Sequence, residues 1–90
     1  MKTMQDLKFF LLERFPKEHI YLFGSRARGD ASVYSDIDIA IESSSALSSK
    51  LSQVRFELEE SLIPYKVDLI ELSKAPYLRD IIKKEGIKWH

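Results

Sequence analysis

Two aspartates stand two residues apart in a short segment where polar and isoleucine residues alternate. Asp36 and Asp38 belong to the run DIDIAIE at residues 36–42. In an extended strand, residues two apart project from the same face, so both carboxylates leave one side of the chain. Adjacent carboxylates repel each other, and a hard divalent cation with oxygen ligands relieves that repulsion. The pair therefore indicates a metal site, with the polar face of an ordinary edge strand as the alternative.

A third aspartate occupies an otherwise apolar segment. Asp68 stands within VDLI at residues 67–70, a run that predicts a buried strand. Burying a carboxylate costs free energy unless the group is paired, hydrogen-bonded or bound to a metal ion. If this strand lies beside the first, Asp68 joins Asp36 and Asp38, and three carboxylates can hold two divalent ions suited to phosphoryl-type transfer. A salt bridge from Asp68 to Lys66 or to an arginine is the structural alternative.

A glycine–serine turn follows the apolar segment at residues 20–23, which is itself predicted to be a strand. Gly24 permits a sharp turn and a close approach of the backbone to a ligand. Ser25 offers a hydroxyl and a backbone N–H to a phosphate. Arg26 and Arg28 come next, and guanidinium groups match phosphate in charge and geometry. These residues predict a triphosphate-binding turn, with an ordinary turn and solvated arginines as the alternative.

The spacing of these pieces resembles that of the DNA polymerase β-like nucleotidyltransferase superfamily. Ten residues separate the glycine–serine pair from the first aspartate. The strings GSRARGD at residues 24–30 and SDID at residues 35–38 are similar to the minimal branch, the MNT proteins, which are the antitoxins of HEPN/MNT toxin–antitoxin pairs. The acid in the third strand and the string IIKKEG at residues 81–86 fit the same branch, so the resemblance extends from residue 20 to residue 90.

This resemblance implies a small mixed β-sheet flanked by helices, and transfer of a nucleoside monophosphate from a triphosphate with release of pyrophosphate. By position, Gly24 and Ser25 would hold the triphosphate. Asp36 and Asp38 would bind two Mg²⁺ ions, and Asp68 would bind the ion nearer the attacking hydroxyl. The resemblance also implies ATP as the donor of AMP and a tyrosine hydroxyl on a partner HEPN toxin as the acceptor.

The predicted elements that position these residues follow the order helix, strand, loop, strand, helix, strand and helix, which is an α/β (α+β) layout. Thr3 is expected to cap a first helix that Pro16 ends. Another helix is expected from Leu47 onward, and because it joins the second and third strands, these should pair in parallel. The last helix is expected over residues 75–84, with Gly86 just past its end. The position of the first strand stays open.

The composition limits the functions open to the chain. Its 90 residues predict one minimal nucleotidyltransferase domain, 1–90, with little room for an acceptor-binding domain. Basic and acidic residues number 14 each, which argues against direct binding of nucleic acid. The absence of cysteine rules out disulfides and thiolate metal sites. No segment resembles a membrane span or a signal peptide, so a cytoplasmic location is expected.

Alternative functions follow from the same observations. The leading prediction is metal-dependent transfer of AMP to a partner protein. A non-catalytic antitoxin would instead neutralise its partner by covering it, and Tyr34, Tyr77 and Trp89 are candidate contact residues for such a complex. Addition of a nucleotide to RNA or to a small molecule such as an aminoglycoside keeps the chemistry and changes the acceptor. The small size and zero net charge argue against that third function.

Overall fold

The computed structural model describes residues 3–29, 36–61 and 65–90, in which helices and strands alternate. The helices are α1 (Met4–Arg14), α2 (Ser25–Arg28), α3 (Ser48–Glu60) and α4 (Leu78–Glu85). The strands are β1 (His19–Phe23), β2 (Ile37–Glu42), β3 (Val67–Glu71) and β4 (Ile87–Lys88). A short 3₁₀ helix, Leu72–Lys74, follows β3. Among the helices of these ranges, none has the length and apolarity needed to cross a membrane.

The strands form one mixed sheet in the order β3-β2-β1-β4. β2 and β3 are parallel, which confirms the prediction made from the helix between them. β1 lies antiparallel to β2, with Phe23 opposite Asp38, so the first strand occupies the middle of the sheet. This order brings the end of β1 and the starts of β2 and β3 to the same end of the sheet, where the predicted functional residues lie.

α1 and α3 cover one face of the sheet. The side chains of Thr3 and Asp6 cap α1 reciprocally, each accepting a hydrogen bond from the other residue's backbone N–H. The core on this face consists of Leu7, Leu11, Phe15, Ile20, Leu22, Ile37, Ile39, Ile41, Leu47, Leu51, Val54, Leu58 and Leu69. Because the three isoleucines of β2 all point into this core, the residues between them point to the other face.

The opposite face of the sheet is partly apolar and partly ionisable. Its smaller buried cluster consists of Phe23, Ala40, Leu72, Ala75, Leu78 and Ile82. The 3₁₀ helix and α4 therefore cover the middle of this face. Asp38 and Glu42 leave β2 on either side of Ala40, so one acid lies toward each end of the covered region.

The C-terminal region differs from the sequence prediction in two ways. The final helix begins at Leu78 rather than at residue 75. The residues before Leu78 form a separate turn, in which the N–H of Leu78 donates to the Ala75 carbonyl (3.0 Å). Gly86 is extended and leads into β4, which the sequence did not predict. β4 is two residues long and pairs with Tyr21 and Leu22, and a strand this short has no hydrophobic periodicity to detect.

Candidate active site

The parallel pairing of β2 and β3 places two of the predicted acids side by side. Asp38 lies directly opposite Asp68 in the register. Asp36 stands immediately before β2, close enough to Asp38 for its negative charge to raise the pKa of that carboxyl. All three side chains are half-buried. The structure thus places Asp38 and Asp68 on one face of the sheet, and Asp36 near them at the same end of the strands.

The electrostatic environment of Asp38 favours a bound cation. Burial raises the pKa of Asp38 above its ordinary value, and the negative charges of Asp68 and then Asp36 raise it further. A divalent ion among these groups would offset that penalty, and oxygen ligands are those that Mg²⁺ prefers. The donor set therefore fits the metal ions that the sequence predicts. Within the described residues, no three His, Cys, Asp or Glu side chains already converge as a complete ligand set.

Asp36 faces a lysine in this structure. Its Oδ2 lies 3.9 Å from the Nζ of Lys66, and the two side chains are 43% and 73% exposed. An ion pair this open to water contributes little to stability. Replacing Lys66 by a metal ion as the partner of Asp36 would therefore cost little free energy. The sequence allows Lys66 as a salt-bridge partner for Asp68, whereas the structure pairs this lysine with Asp36.

The turn after β1 passes directly against Asp38. Gly24 has a φ of 79°, a backbone conformation that residues with a side chain rarely adopt. A Cβ at Gly24 would overlap the Oδ2 of Asp38. Backbone strain and the nearby carboxylate therefore both exclude a side chain here. Glycine is therefore required at position 24 because the backbone there passes against Asp38. An ordinary turn would not impose this second requirement.

Ser25 begins α2, one residue after the glycine that contacts the carboxylate. Helical hydrogen bonding starts at Ala27, whose N–H donates to the Gly24 carbonyl (3.1 Å), so the N–H of Ser25 precedes the helical pattern. Gly29, with a φ of 82°, ends the helix by donating its N–H to the Ser25 carbonyl (3.0 Å). The hydroxyl and N–H of Ser25 are therefore held in a short, defined turn beside the acids.

The two predicted phosphate-binding arginines contact different parts of the molecule. The guanidinium carbon of Arg26 lies 4.9 Å from the ring centroid of Tyr65, just before β3. The Nη1 of Arg28 donates to the Oε2 of Glu85, at the end of α4, over 3.1 Å. Sequence reasoning missed both contacts, because Tyr65 and Glu85 are distant along the chain from α2 and carry no motif of their own.

A further acid on β2 has its own partners. The Oε1 of Glu42 accepts a hydrogen bond from the Tyr21 hydroxyl (3.3 Å), and its Oε2 accepts one from Arg79. The hydrogen bond from Arg79 is the main cause that lowers the pKa of Glu42. A cavity of about 290 Å³ opens here, also lined by Lys83 and Lys88. Glu42 is therefore a structural acid at the opposite end of the face from Asp38.

Comparisons with known proteins agree with this geometry. The profile of the family described as nucleotidyltransferase domain matches residues 4–89. The probable protein adenylyltransferase MntA of Haemophilus influenzae is 34% identical over 80 residues, which cover 87% of this chain and 70% of that protein. Its name describes the same class of reaction that the motif spacing predicts.

Two solved structures share the fold. A crystal structure of a toxin–antitoxin with AMP-PNP has a TM-score of 0.76 and 29% identity, and the match covers 97% of this chain and 73% of that one. Tri-AMPylated Shewanella oneidensis HEPN toxin in complex with MNT antitoxin contains a chain with a TM-score of 0.66 and 28% identity, with coverage of 97% and 72%. The mixed sheet flanked by helices that the sequence predicts is confirmed.

Proposed function

This chain belongs to the nucleotidyltransferase domain family, as its motif spacing predicted, and we propose that it is a protein adenylyltransferase of the MNT antitoxin type. In the proposed reaction, AMP passes from ATP to a tyrosine hydroxyl of a HEPN toxin. The single observation that carries this proposal is the placement of Asp38 opposite Asp68 and against Gly24. The relatives support the acceptor, since one solved complex contains an AMPylated HEPN toxin.

Each part of the site has a role in this reaction. Two Mg²⁺ ions held by Asp36, Asp38 and Asp68 would neutralise charge on the triphosphate and on the reacting oxygens. Ser25 donates hydrogen bonds from its hydroxyl and backbone N–H to the triphosphate. The absence of a side chain at Gly24 lets the phosphates approach the carboxylate of Asp38.

The proposed transfer replaces one phosphorus–oxygen bond with another. The acceptor oxygen forms a bond to the α-phosphorus while the bond from that phosphorus to the bridging oxygen of the β-phosphate breaks, and pyrophosphate leaves. Asp68 orients the acceptor hydroxyl and takes its proton. Holding both reactants in one site removes much of the entropic part of the barrier.

The two arginines supply positive charge beside this turn. Tyr65 packs against the guanidinium of Arg26 and so restricts its direction. Arg28 forms an ion pair with Glu85 in which the two side chains are 44% and 39% exposed. Because so open a pair is weak, Arg28 can exchange Glu85 for a phosphate of ATP.

The proposal is tested by label transfer. Purified chain is incubated with α-labelled ATP, Mg²⁺ and a HEPN toxin, and labelled AMP on the toxin is measured. We expect transfer by the wild type, none by Asp68→Asn, and normal transfer by Glu60→Gln, a matched change at an exposed acid of α3. Absence of label on the toxin, or equal transfer by Asp68→Asn and Glu60→Gln, would reject the catalytic role.

Neutralisation by binding alone is the second candidate, and exposed apolar side chains favour it. Phe9, Phe56 and Tyr77 are 59%, 62% and 73% exposed. Of the other contact residues predicted from sequence, Trp89 packs against the main core, and Tyr34 lies outside the described residues. A variant with asparagine at all three aspartates that still protects cells from the toxin would establish this function.

The acceptor and the location of the reaction belong to the same proposal. Balanced charge, with 14 basic and 14 acidic residues, favours a protein acceptor over RNA. An aminoglycoside or another small acceptor is tested by replacing the toxin in the same assay. We place the reaction in the cytoplasm, where its proposed donor, ATP, is abundant.

A further inference from the structure

One edge of the sheet has no neighbouring strand among the described residues. β3 lies at the end of the strand order and, in the part of the chain that the structure describes, pairs with β2 alone. The N–H of Ile37 donates to the Lys66 carbonyl (2.8 Å), which fixes the alternation of the parallel ladder. The backbone groups that point away from β2 are then those of Val67, Leu69 and Glu71. A row of backbone donors and acceptors therefore faces outward along β3.

A groove runs along this edge between β3 and α3. One cavity of about 620 Å³ opens beside Asp68, and a second of about 350 Å³ continues beside Ser52 and Lys74. Arg55 lines both cavities, and its Nη2 donates to the outward-facing Leu69 carbonyl (2.5 Å). We call the two cavities together the β3-edge groove. It extends the length of β3, and its first cavity is lined in part by Asp68, whose side chain leaves β3 on the face opposite α3.

A buried acid in the groove has spare hydrogen-bonding capacity. Glu71 is 7% exposed, and its Oε2 accepts a hydrogen bond from the Ser73 hydroxyl (3.0 Å). Its Oε1 accepts no hydrogen bond from the described residues and lies 3.8 Å from the Nζ of Lys74. Buried polar atoms are normally hydrogen-bonded, so this oxygen favours a donor that enters the groove, such as a backbone N–H or a hydroxyl.

We propose that the β3-edge groove binds an extended segment of the acceptor protein as an added strand, and that this segment carries the acceptor hydroxyl to Asp68. The proposal rests on the proposed transfer reaction and specifies how its acceptor docks. Apart from the Leu69 carbonyl, which already accepts a hydrogen bond from Arg55, the outward backbone groups on alternate residues are complementary to another extended backbone. The continuity of the groove with Asp68 places the docked segment beside the proposed chemistry.

The charges along the groove favour a polypeptide over a nucleic acid. Lys66 and Asp68 line one cavity, Lys74 and Glu71 line the other, and Arg55 lies between them. Strands of nucleic acid bind along surfaces with a clear excess of basic residues. A groove with both signs in each half instead suits a segment whose affinity comes from main-chain hydrogen bonds.

The position of Arg55 argues against a second copy of this chain as the occupant. Two β3 strands paired about Leu69 would bring together the two guanidinium groups that contact the Leu69 carbonyls. Like charges placed directly opposite each other across a strand pair are destabilising. A partner of different sequence avoids this repulsion.

Binding of purified HEPN toxin to two variants tests the groove. Ser52 and Gln53 are neighbouring exposed residues of α3, and Ser52 lines the groove whereas Gln53 does not. Ser52→Trp should obstruct the groove and weaken the toxin complex by about 10-fold or more, the scale for loss of a central interface contact. Gln53→Trp should stay within about 2-fold of the wild type. Equal dissociation constants for the two variants would overturn the proposal.

Hydrogen exchange on the wild-type chain provides a test that needs no variant. The amides of Val67, Leu69 and Glu71 should exchange at least about 10-fold more slowly once toxin saturates the chain, because they become bonded to the added strand. Unchanged exchange at saturation would overturn the docking mode. Protection of the same amides without toxin, together with a concentration-dependent dimer, would overturn it in favour of self-association.

These measurements separate the docking proposal from the transfer reaction, since both are read from binding. Weaker binding by Ser52→Trp with no labelled AMP on the toxin would reject catalysis and keep the groove. Labelled AMP on the toxin with identical binding by Ser52→Trp and Gln53→Trp would keep catalysis and reject the groove.

Discussion

Two carboxylates of β2 share one face of the sheet and differ in their electrostatic surroundings. Glu42 accepts hydrogen bonds from Tyr21 and Arg79, and its pKa is lowered, chiefly by the bond from Arg79. Asp38 lies opposite Asp68, and burial together with the neighbouring negative charges raises its pKa. An acid with cationic and hydroxyl partners stabilises the fold, whereas an acid crowded by like charges is suited to hold a ligand. The comparison distinguishes Glu42, whose partners belong to the fold, from Asp38, the acid that we propose to be functional.

A large effect is expected from filling the space against Asp38. Gly24→Ala should reduce AMP transfer by about 100-fold, the cost of displacing a reacting group by roughly 1 Å, because its Cβ would meet the carboxylate. Gly29→Ala is the matched control, since Gly29 has a similar φ of 82° and no described residue lies within 4 Å of its Cβ position. Rates of label transfer at saturating ATP measure both effects.

Gly29→Ala should cost about 1 kcal/mol of stability through backbone strain and leave transfer nearly unchanged. Equal losses of transfer in the two glycine variants would show that strain in the turn, rather than the approach to Asp38, limits the reaction.

Neutral replacements of the two acids should change stability in opposite directions at pH 7 without metal. Glu42→Gln should lower the free energy of unfolding by about 1 kcal/mol, the scale of a typical net hydrogen bond, because the Arg79–Glu42 pair is partly exposed. Asp38→Asn should raise it by about 0.5 kcal/mol, because the crowded charge is removed. Urea denaturation measures both values. Destabilisation by Asp38→Asn would contradict the electrostatic contrast between the two ends of β2.

Added Mg²⁺ should offset the repulsion among the carboxylates around Asp38 and so stabilise the folded chain. Because an ion that binds only the folded chain stabilises it, added Mg²⁺ should raise the Tm of the wild type and not that of Asp38→Asn. Glu42→Gln should respond to Mg²⁺ as the wild type does. Thermal denaturation with and without Mg²⁺ measures this, and equal responses of the wild type and Asp38→Asn would contradict it.

The two acids also predict opposite dependences of stability on pH. Asp38 has a higher pKa in the folded chain, so stability falls as pH rises from its ordinary pKa of 3.8 to the raised folded value. The advantage of Asp38→Asn should therefore disappear as the pH drops below 3.8. Glu42 has a lowered pKa, so its contribution is complete above its ordinary pKa of 4.5 and is lost as pH falls through the folded value. Urea denaturation between pH 3 and pH 7 measures the difference in free energy of unfolding between each variant and the wild type. If this difference changed with pH in the same direction for both variants, the prediction would be contradicted.

The smallest effect concerns the hydroxyl partner of Glu42. Tyr21→Phe should cost about 0.5 kcal/mol, the low end for a neutral hydrogen bond, because the bond is long (3.3 Å) and partly exposed. Tyr77→Phe should cost nothing measurable, since Tyr77 is 73% exposed. Transfer of AMP should be unchanged by both. A loss of transfer in Tyr21→Phe would mean that the Glu42 end also serves the reaction.

The parts of the site that could be predicted from the sequence were those that depend on local residue patterns. Alternation at residues 36–42 predicted that Asp36 and Asp38 share one face, and a lone acid in an apolar run identified Asp68. The helix between β2 and β3 predicted their parallel pairing, which put Asp68 opposite Asp38. Each inference needed only residue spacing and the rules of strand geometry.

Contacts between distant segments could not be predicted in the same way. The pairing of Asp36 with Lys66 depends on which of two nearby acids the lysine side chain reaches. The Arg28–Glu85 pair depends on where α4 ends against α2, and β4 exists only because residues beyond Gly86 meet β1. These contacts follow from tertiary packing, for which a single sequence carries no periodic signal.

Transfer of labelled AMP to a HEPN toxin by Asp38→Asn and Glu42→Gln, compared at saturating ATP and Mg²⁺, tests the central contrast most directly. Asp38→Asn should lose at least about 100-fold in rate, the scale for removal of one preorganised electrostatic group. Glu42→Gln should stay within about 3-fold of the wild type, because its partners Tyr21 and Arg79 belong to the fold. Equal rates for the two variants, or a larger loss in Glu42→Gln, would contradict the assignment of the chemistry to the Asp38 end of β2.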